Sequence, residues 1–425
     1  MRVCVFEDAG VETLEPLSLT RPVFDLWCGT SSLLTRQCRF AEATELGVLL
    51  RPSLAPLCKQ THPQVQVNNF AWLRAQGALL INGRWLPPLE RPGDLQTPHV
   101  GLVGDEVAYA VISSEQMTYC SPNTIDDCLE TWKQRLPQRP AGGWMIDYPW
   151  DLIECNAAML RQDCARSIAC EGRSHRPAGL GIVGPSDLLR VDPTARIDPF
   201  VTVDTTQGPV IIDRDAVVHS FSRLEGPCYI GIGAQVRGAN IRSSSIGPVC
   251  RVGGEVEASI LHGYVNKYHE GFVGHSYLGA WTNLAAGVQI SDLRHDYQSV
   301  RVGVAGRQVD TGLTKVGAIV GDFTQIGLNA SLNTGTVVGA FCSLLPAGGY
   351  LPRTVPSFCA YWNGMLIEQP NLPQLLATAR TVMARRGCEM TAAHSALFRG
   401  IHDQTAALRR QILRQREQRY LRLSA

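Results

Sequence analysis

No stretch of eighteen apolar residues occurs in the 425-residue chain, so the sequence offers no candidate for a membrane-spanning helix. No charged-then-apolar leader opens it either; the first ten residues read MRVCVFEDAG. Net charge is nearly absent: 39 basic residues against 38 acidic ones leave +1, which gives no whole-molecule reason to expect nucleic acid or a membrane as partner. The 14 cysteines form no CxxC pair and keep no regular spacing. That argues against a disulfide framework or zinc ribbon and for small buried hydrophobes in a reducing compartment. Lysine is the scarcest of the common charged residues, with four among the 39 basic side chains, so Lys267 and Lys315 stand out. These absences describe a soluble, cytoplasmic protein, and the length suffices for two or three domains.

Three textures follow one another along the chain. Residues 1–175 read as an α/β domain. RVCVFED and GALLING have the form of short apolar strands, and TSSLLTRQCRFAEATELG that of a helix or a strand–helix pair. DDCLETWKQRL and PWDLIECNAAMLRQD carry helical spacing, and alternation of strands with helices predicts a largely parallel sheet. From 180 to 365 aliphatic residues recur every six positions, as in Val191, Ile197 and Val203, then Val218, Leu224, Ile230 and Val236. The period is cleanest at Val320, Ile326, Leu332, Val338 and Leu344, with small residues beside the aliphatics. Such a hexad predicts a parallel β-helix whose stacked coils bury one continuous column. Residues 366–425 lose the period. PNLPQLLATARTVMARRG and HDQTAALRRQILRQREQRYLRL read as helices, the second a basic one that either lies solvated against a neighbouring subunit or takes an anion.

The stretch HGYVNKYHEGFVGHSYLGAWTNLAAG, residues 262–287, blurs the hexad and concentrates three histidines around Lys267. Two chemistries suit it. His262, His269 and His275, seven and six residues apart, could repeat on successive strands and share a zinc ion. Alternatively one neutral imidazole serves as general base toward an attacking amine or hydroxyl. A structural role for any single histidine stands beside both.

The segment GGEVEASILHGYVNKYHEGFVGHSYLGAWTNLAAGV resembles the corresponding run of the bacterial bifunctional N-acetylglucosamine-1-phosphate uridyltransferases (GlmU), and most closely their divergent GlmU-like sugar nucleotidyltransferase branch. VGDFTQIGLNASLNTGTVVG, PLSLTRPVFDLWCG, INGRWLP and PWDLIECN match that branch too. The resemblance implies a nucleotidyltransferase-like (Rossmann-like) α/β domain, a left-handed parallel β-helix and a helical tail, assembled as a homotrimer with acyltransferase sites between subunits. It implies acetyl-CoA-dependent acyl transfer to an amino or hydroxy sugar 1-phosphate, coupled with nucleotidyl transfer to give an NDP-sugar such as UDP-N-acetylglucosamine. The partners are then a sugar phosphate, a CoA thioester and a nucleotide. By position His269 falls on the acetyltransferase base, Asn266 on the phosphate-contacting lysine with Lys267 beside it, Asn283 on an asparagine of the sugar pocket, and Phe272 on a tyrosine there; Lys267 or Arg251 is then expected to hold the anionic phosphate. Arg251 is the nearest candidate for the phosphate arginine, and CoA is expected along 316–350. Two departures, SDLRHDY in place of NYDG and Ala285 in place of glycine, put the acceptor's identity in question.

The amino-terminal third departs further from the family. The glycine-rich phosphate loop is replaced by EDAGVETLEPLSLTRPVFDLWCG, leaving Arg21 as phosphate ligand. Where the family places its metal aspartate the turn reads NGRW, with Asn82 as the nucleotide-binding candidate and no carboxylate. Asn156 matches the second Mg²⁺ ligand, and Glu7, Asp8 and Asp25 are candidates to replace the first. Two other classes compete with the enzyme reading: a non-catalytic sugar-nucleotide sensor, and a zinc lyase like the γ-type carbonic anhydrases.

Overall fold

The computed structural model describes residues 1–90, 93–118, 120–170 and 179–424, so the domain boundary expected at 175 lies outside the described residues. The chain divides into two compact units. The first comprises 1–14, 18–26 and 31–148; the second comprises 15–17, 27–30 and 149–425. The helix of PWDLIECN therefore groups with the β-helix rather than with the α/β unit that precedes it in sequence.

The first unit is built on a seven-stranded sheet. In chain order its strands are β1 (Arg2–Phe6), β2 (Glu45–Leu49), β3 (Gln66–Val67), β4 (Ala78–Asn82), β5 (His99–Val103), β6 (Glu106–Ile112) and β7 (Gln138–Pro140), arranged β7-β5-β6-β4-β1-β2-β3. β1 runs parallel to both β2 and β4, whereas β6 runs antiparallel to both of its neighbours. The sheet is thus mixed. The alternating tract 31–49 yields helix α1 (Leu33–Ala41), whose first turn is capped by Ser32 accepting from Thr35 N and whose end turns at Glu42 in the left-handed region. Val3, Val5, Leu80 and Ile81 are fully buried, as expected of strands covered on both faces.

In the second unit, helix α2 (Pro149–Cys170) is followed by a parallel β-helix of hexapeptide coils. Its register pairs Val320 with Val338 and Ile326 with Leu344, eighteen residues on, so one coil is three hexads and each hexad crosses one face. The inward columns are aliphatic: Leu224, Ile241, Val256, Val273, Ile290 and Leu332 on one face, and Ile230, Ile246, Leu261, Leu278, Val320 and Val338 on another. Each buried aliphatic contributes on the order of 1.5–3 kcal/mol, and in a solenoid those contributions pass from coil to coil.

A corner of the prism carries stacked aromatics. Tyr264, Trp281, Phe323, Phe341 and Phe358 follow one another at centroid spacings of 4.0, 6.0, 4.9 and 5.0 Å. Phe398 packs edge-on against Phe323 and Phe341, which docks the tail. That tail comprises three helices rather than the two expected: α3 (Leu372–Ala384), α4 (Ala392–Gln404) and α5 (Ala406–Ser424). The basic α5 is anchored by buried Arg409, whose guanidinium donates to Glu368 at 2.7 Å and to Thr405 at 3.0 Å. Among the described residues no helix is long and apolar enough to cross a membrane. Thirteen described cysteines are free, and burial pushes the thiols of Cys228, Cys250 and Cys342 up to about 12, which keeps them unreactive.

Candidate functional site

Outward-facing polar residues stack in register on one face of the β-helix. Gln235 pairs with Arg251, Arg251 with Asn266, Asn266 with Asn283, Asn283 with Gln325, and Gln325 with Ser343. All six are half-buried. Strand alternation explains the column: their immediate followers Val236, Val252, Leu284, Ile326 and Leu344 point inward. Asn266 Nδ2 donates to Asn283 Oδ1 at 2.7 Å, which orients both amides.

Below Asn283 the column opens into a cleft of about 470 Å³. Its lining includes Asn283, Gln325, Leu328, Leu345, Trp362 and Asn363. Trp362 and Asn363 come from a hairpin, Cys359–Trp362 with Met365–Glu368, closed by an Asn-Gly turn with both turn residues at positive φ. The sequence reading missed these two, although YWNGM carries the hairpin signal.

Lys267 falls on the inward column, between Val252 and Leu284, and is fully buried. Its ammonium donates to the carbonyl of Gly253 at 3.1 Å and to that of His269. This corrects the expectation of an external phosphate anchor: Lys267 braces the backbone of His269 from inside the coil. The blurred hexad of this run has two sources: the inward residues Leu261, Lys267, Val273, Leu278, Leu284 and Ile290 include a five-residue step from Val273 to Leu278, and a lysine stands in an aliphatic place.

Burial lowers the Lys267 ammonium to about 8 from an ordinary 10.5, with Glu270 opposing the shift. A folded value below the unfolded one means that the unfolded chain holds more protons between the two, so stability rises as pH climbs from about 8 to 10.5. We expect wild type to gain up to ~3 kcal/mol over that window relative to Lys267→Met. Melting temperatures of the two proteins across pH 7 to about 11 check this, and parallel curves would contradict it.

His269 is exposed on the bend between strands Asn266–Lys267 and Phe272–Gly274. Its ring lies edge-on to Tyr268, at 6.1 Å between centroids. Tyr268 is itself flanked by Arg237 and Arg251, whose guanidinium carbons lie 5.4 and 6.0 Å from its ring. Arg251 Nε is buried with no hydrogen-bond partner. Arg386, in the turn after α3, is held below its ordinary range by burial and by Arg251 beside it. Two guanidiniums therefore flank Tyr268, the residue before His269, and a third, Arg386, lies beside Arg251; Arg237 and Arg386 are beyond the sequence reading. Phe272 is half-buried, and its N–H donates to Gln289 Oε1 at 3.0 Å.

The other two histidines are elsewhere. A spacing of six or seven residues moves one face around the coil, not one coil along it, so His262, His269 and His275 occupy three different corners. His262 Nδ1 lies 3.0 Å from the Tyr277 hydroxyl, and Tyr277 also accepts from Trp27 N–H at 2.9 Å. His275 Nδ1 lies 2.7 Å from Asp292, whose carboxyl is held low by His275 and Lys315 against the effect of its burial. Among the described residues no three His, Cys, Asp or Glu side chains are placed to hold a metal ion, so the three histidines of one chain do not converge on a zinc.

The metal and nucleotide candidates also take structural positions. Asn156 is buried in the second unit, and its Oδ1 accepts from Gly29 N–H and from Ser245 Oγ–H, each at 2.8 Å. Asn82 is buried, donating to Asp8 at 2.7 Å and to Val107 O at 3.3 Å while accepting from Arg84 N–H at 2.9 Å. Both expectations are corrected on the same ground: the side-chain oxygen a metal or nucleotide would need is already accepting hydrogen bonds inside the fold. Arg21 contributes its carbonyl to Arg51 at 3.2 Å. Of the replacement carboxylates, Glu7 is clamped by Arg51 and Val23 N–H, Asp25 faces His62, and Asp8 pairs with Arg84. These donors do not fit a Mg²⁺ ion, which needs uncommitted oxygen ligands.

A nucleotidyltransferase-like α/β unit joined to a hexapeptide β-helix is the class this fold defines. Residues 3–169 match the family described as sugar nucleotidyl transferase. The chain is 28 % identical over 223 residues to a bifunctional sugar-1-phosphate nucleotidylyltransferase/acetyltransferase of Sulfurisphaera tokodaii, covering 50 % of this chain and 47 % of that protein. It is 32 % identical over 88 residues to the bifunctional protein GlmU of Methanocaldococcus jannaschii, covering 21 % of each. The chain thus spans about half the length of the first of these relatives and less of the second. The solved polySia specific acetyltransferase NeuO aligns with 49 % of this chain and 94 % of its own at 13 % identity, with a TM-score of 0.27. In these segments the chain is similar to sugar nucleotidyl transferases and to the bifunctional GlmU proteins.

Proposed function

We propose that the β-helix transfers an acyl group from a CoA thioester to the amino or hydroxyl group of a sugar 1-phosphate, on the route to a nucleotide sugar such as UDP-N-acetylglucosamine. The observation that carries this reading is the in-register column Arg251–Asn266–Asn283–Gln325, which runs into the cleft, with the exposed His269 on the bend that follows the strand of Asn266. The acceptor nitrogen attacks the thioester carbonyl carbon, its proton passes to the His269 imidazole, and the C–S bond breaks with that proton returned to the departing sulfur, which leaves as CoA thiol. Asn266 and Asn283 hold the sugar hydroxyls, Phe272 closes the sugar pocket, and Arg251 with Arg237 and Arg386 holds the phosphate. The apolar wall of Leu328, Leu345 and Trp362 takes the pantetheine arm of acetyl-CoA. His269 has no orienting side-chain hydrogen bond among the described residues, which suits a site completed by a second copy of the chain in a homotrimer.

Thiol release from acetyl-CoA with a panel of amino-sugar 1-phosphates tests the reading. Release that depends on one acceptor is the expected result. Silence across the panel, with sugar nucleotide still bound, would leave the sensor reading in its place. For the first unit, the committed donors around Arg84 favour binding of a sugar nucleotide without the metal-dependent transfer of the wider superfamily.

A further inference from the structure

The bend of the β-helix that carries His269 also carries two phenylalanines that neither the family resemblance nor the proposed reaction uses. Phe200 and Phe221 are 72 and 79 % exposed, more than any other large apolar side chain among the described residues. Their rings stack at 5.9 Å between centroids, with planes 6° apart. Each stands at φ 66, three residues before an inward aliphatic, Val203 or Leu224. Glu270, next to His269, likewise stands three residues before the inward Val273. The register steps from Val273 to Val256, Ile241, Leu224 and Val203, one coil at a time, so Phe221 and Phe200 lie on the His269 bend three and four coils away. At ~4.8 Å per coil, Phe221 is about 14 Å from His269 along the axis. The other aromatic stack, at the Tyr264 bend, is covered by Phe398 of the tail, whereas this one presents its rings to solvent.

Between the pair and His269 the bend is bare of side chains. Gly238 occupies it at φ 53, with open space where a Cβ would stand, and Gly254 follows at φ 71. Cations and a polar ring flank this trough. Arg237, beside Gly253 in register, is exposed and holds its guanidinium carbon 5.4 Å from the Tyr268 ring; Arg251 lies 6.0 Å from the same ring. One coil beyond Arg237 stands His219, whose Nδ1 is fixed 3.0 Å from Asp198 Oδ2. From its far end the bend thus presents an aromatic platform, a hydrogen-bonding imidazole, two guanidiniums and then His269. A sugar 1-phosphate placed at His269 does not reach that far end. A nucleoside-diphosphate sugar has groups in the matching order: a flat base, a ribose, two phosphates and the sugar.

We propose that the acceptor enters this site with a nucleotidyl group already on its phosphate, as a nucleoside-diphosphate amino sugar. The base stacks on Phe200 and Phe221, the ribose meets His219, and the diphosphate lies against Arg237 and Arg251. This rests on the acyl-transfer reading and leaves its step unchanged, since the phosphoanhydride stays intact. Because stacking accepts any base, a uridine nucleotide suffices as probe. Thiol release from acetyl-CoA is compared for glucosamine 1-phosphate and UDP-glucosamine, in wild type and in the Phe200→Ala/Phe221→Ala double variant. Wild type should use UDP-glucosamine with at least about tenfold higher kcat/KM, and the double variant should lose that advantage through KM while its use of glucosamine 1-phosphate is unchanged. Equal or better use of glucosamine 1-phosphate, or an advantage that the double variant keeps, overturns the proposal and leaves acyl transfer standing. A double variant that forms a smaller assembly than wild type overturns it too, by assigning the pair to a contact between copies. If neither acceptor releases thiol, acyl transfer itself fails, and calorimetric titration with UDP-glucosamine then decides where the nucleotide binds. Loss of one site per chain in the double variant supports the placement, and identical titrations overturn it.

Discussion

His269→Ala should lower acyl transfer by about 10²- to 10⁴-fold, the range for losing a positioned general base. The argument rests on access. Of the three histidines in the run, His262 is engaged by Tyr277 and His275 by Asp292, whereas the His269 ring is exposed beside the polar column and the arginine cluster. The loss should fall on kcat, with binding of the sugar phosphate little changed, because the base acts only as the proton moves. His262→Ala and His275→Ala should instead act through stability, since each removes a hydrogen bond that ties neighbouring segments together. Steady-state kinetics beside thermal melting separates the two patterns. A catalytic collapse in His275→Ala with an unchanged melt would move the base to the His275–Asp292 pair.

Arg84→Met should destabilise the first unit by about 3–5 kcal/mol, the usual cost of removing one partner from a buried ion pair. Asp8 would suffer most. It is nearly as buried as Arg84 and would lose two hydrogen bonds at once, while Glu106 and Asp147 are half exposed and can turn to water. Arg84→Lys should recover less than half of the loss, because a point charge cannot span three carboxylates as a planar fork does. Calorimetric unfolding of the three proteins checks this. Equal stability of wild type and Arg84→Met would mean that the acids repel one another little.

The β-helix was legible because its signal is local and repeated: Val320, Ile326, Leu332, Val338 and Leu344 hold the period with no interruption. His269, Asn266 and Asn283 were legible through the resemblance, and the register places the two asparagines side by side. Lys267 misled for a physical reason. A scarce residue beside a histidine looks chemical, but its sequence position is an inward one, and only the coil's register reveals that. The histidine spacing misled likewise, because six residues measure a face and eighteen measure a coil. NGRW could be read as the loss of a carboxylate; that its arginine gathers acids from positions 8, 106 and 147 is a property of strand order, which no local pattern encodes. The attachment of helix α2 to the second unit has the same origin, since Asn156 meets Ser245 only once the chain has folded.

In the proposed reaction the outward residues of one β-helix face carry the chemistry and the inward lysine only supports them. Acceptor-dependent thiol release from acetyl-CoA, measured side by side for wild type, His269→Ala and Lys267→Met near neutral pH, tests it most directly. The predicted result is collapse in His269→Ala and a loss of less than about tenfold in Lys267→Met, whose role is to brace the His269 backbone. Activity retained in His269→Ala but abolished in a folded Lys267→Met would contradict it.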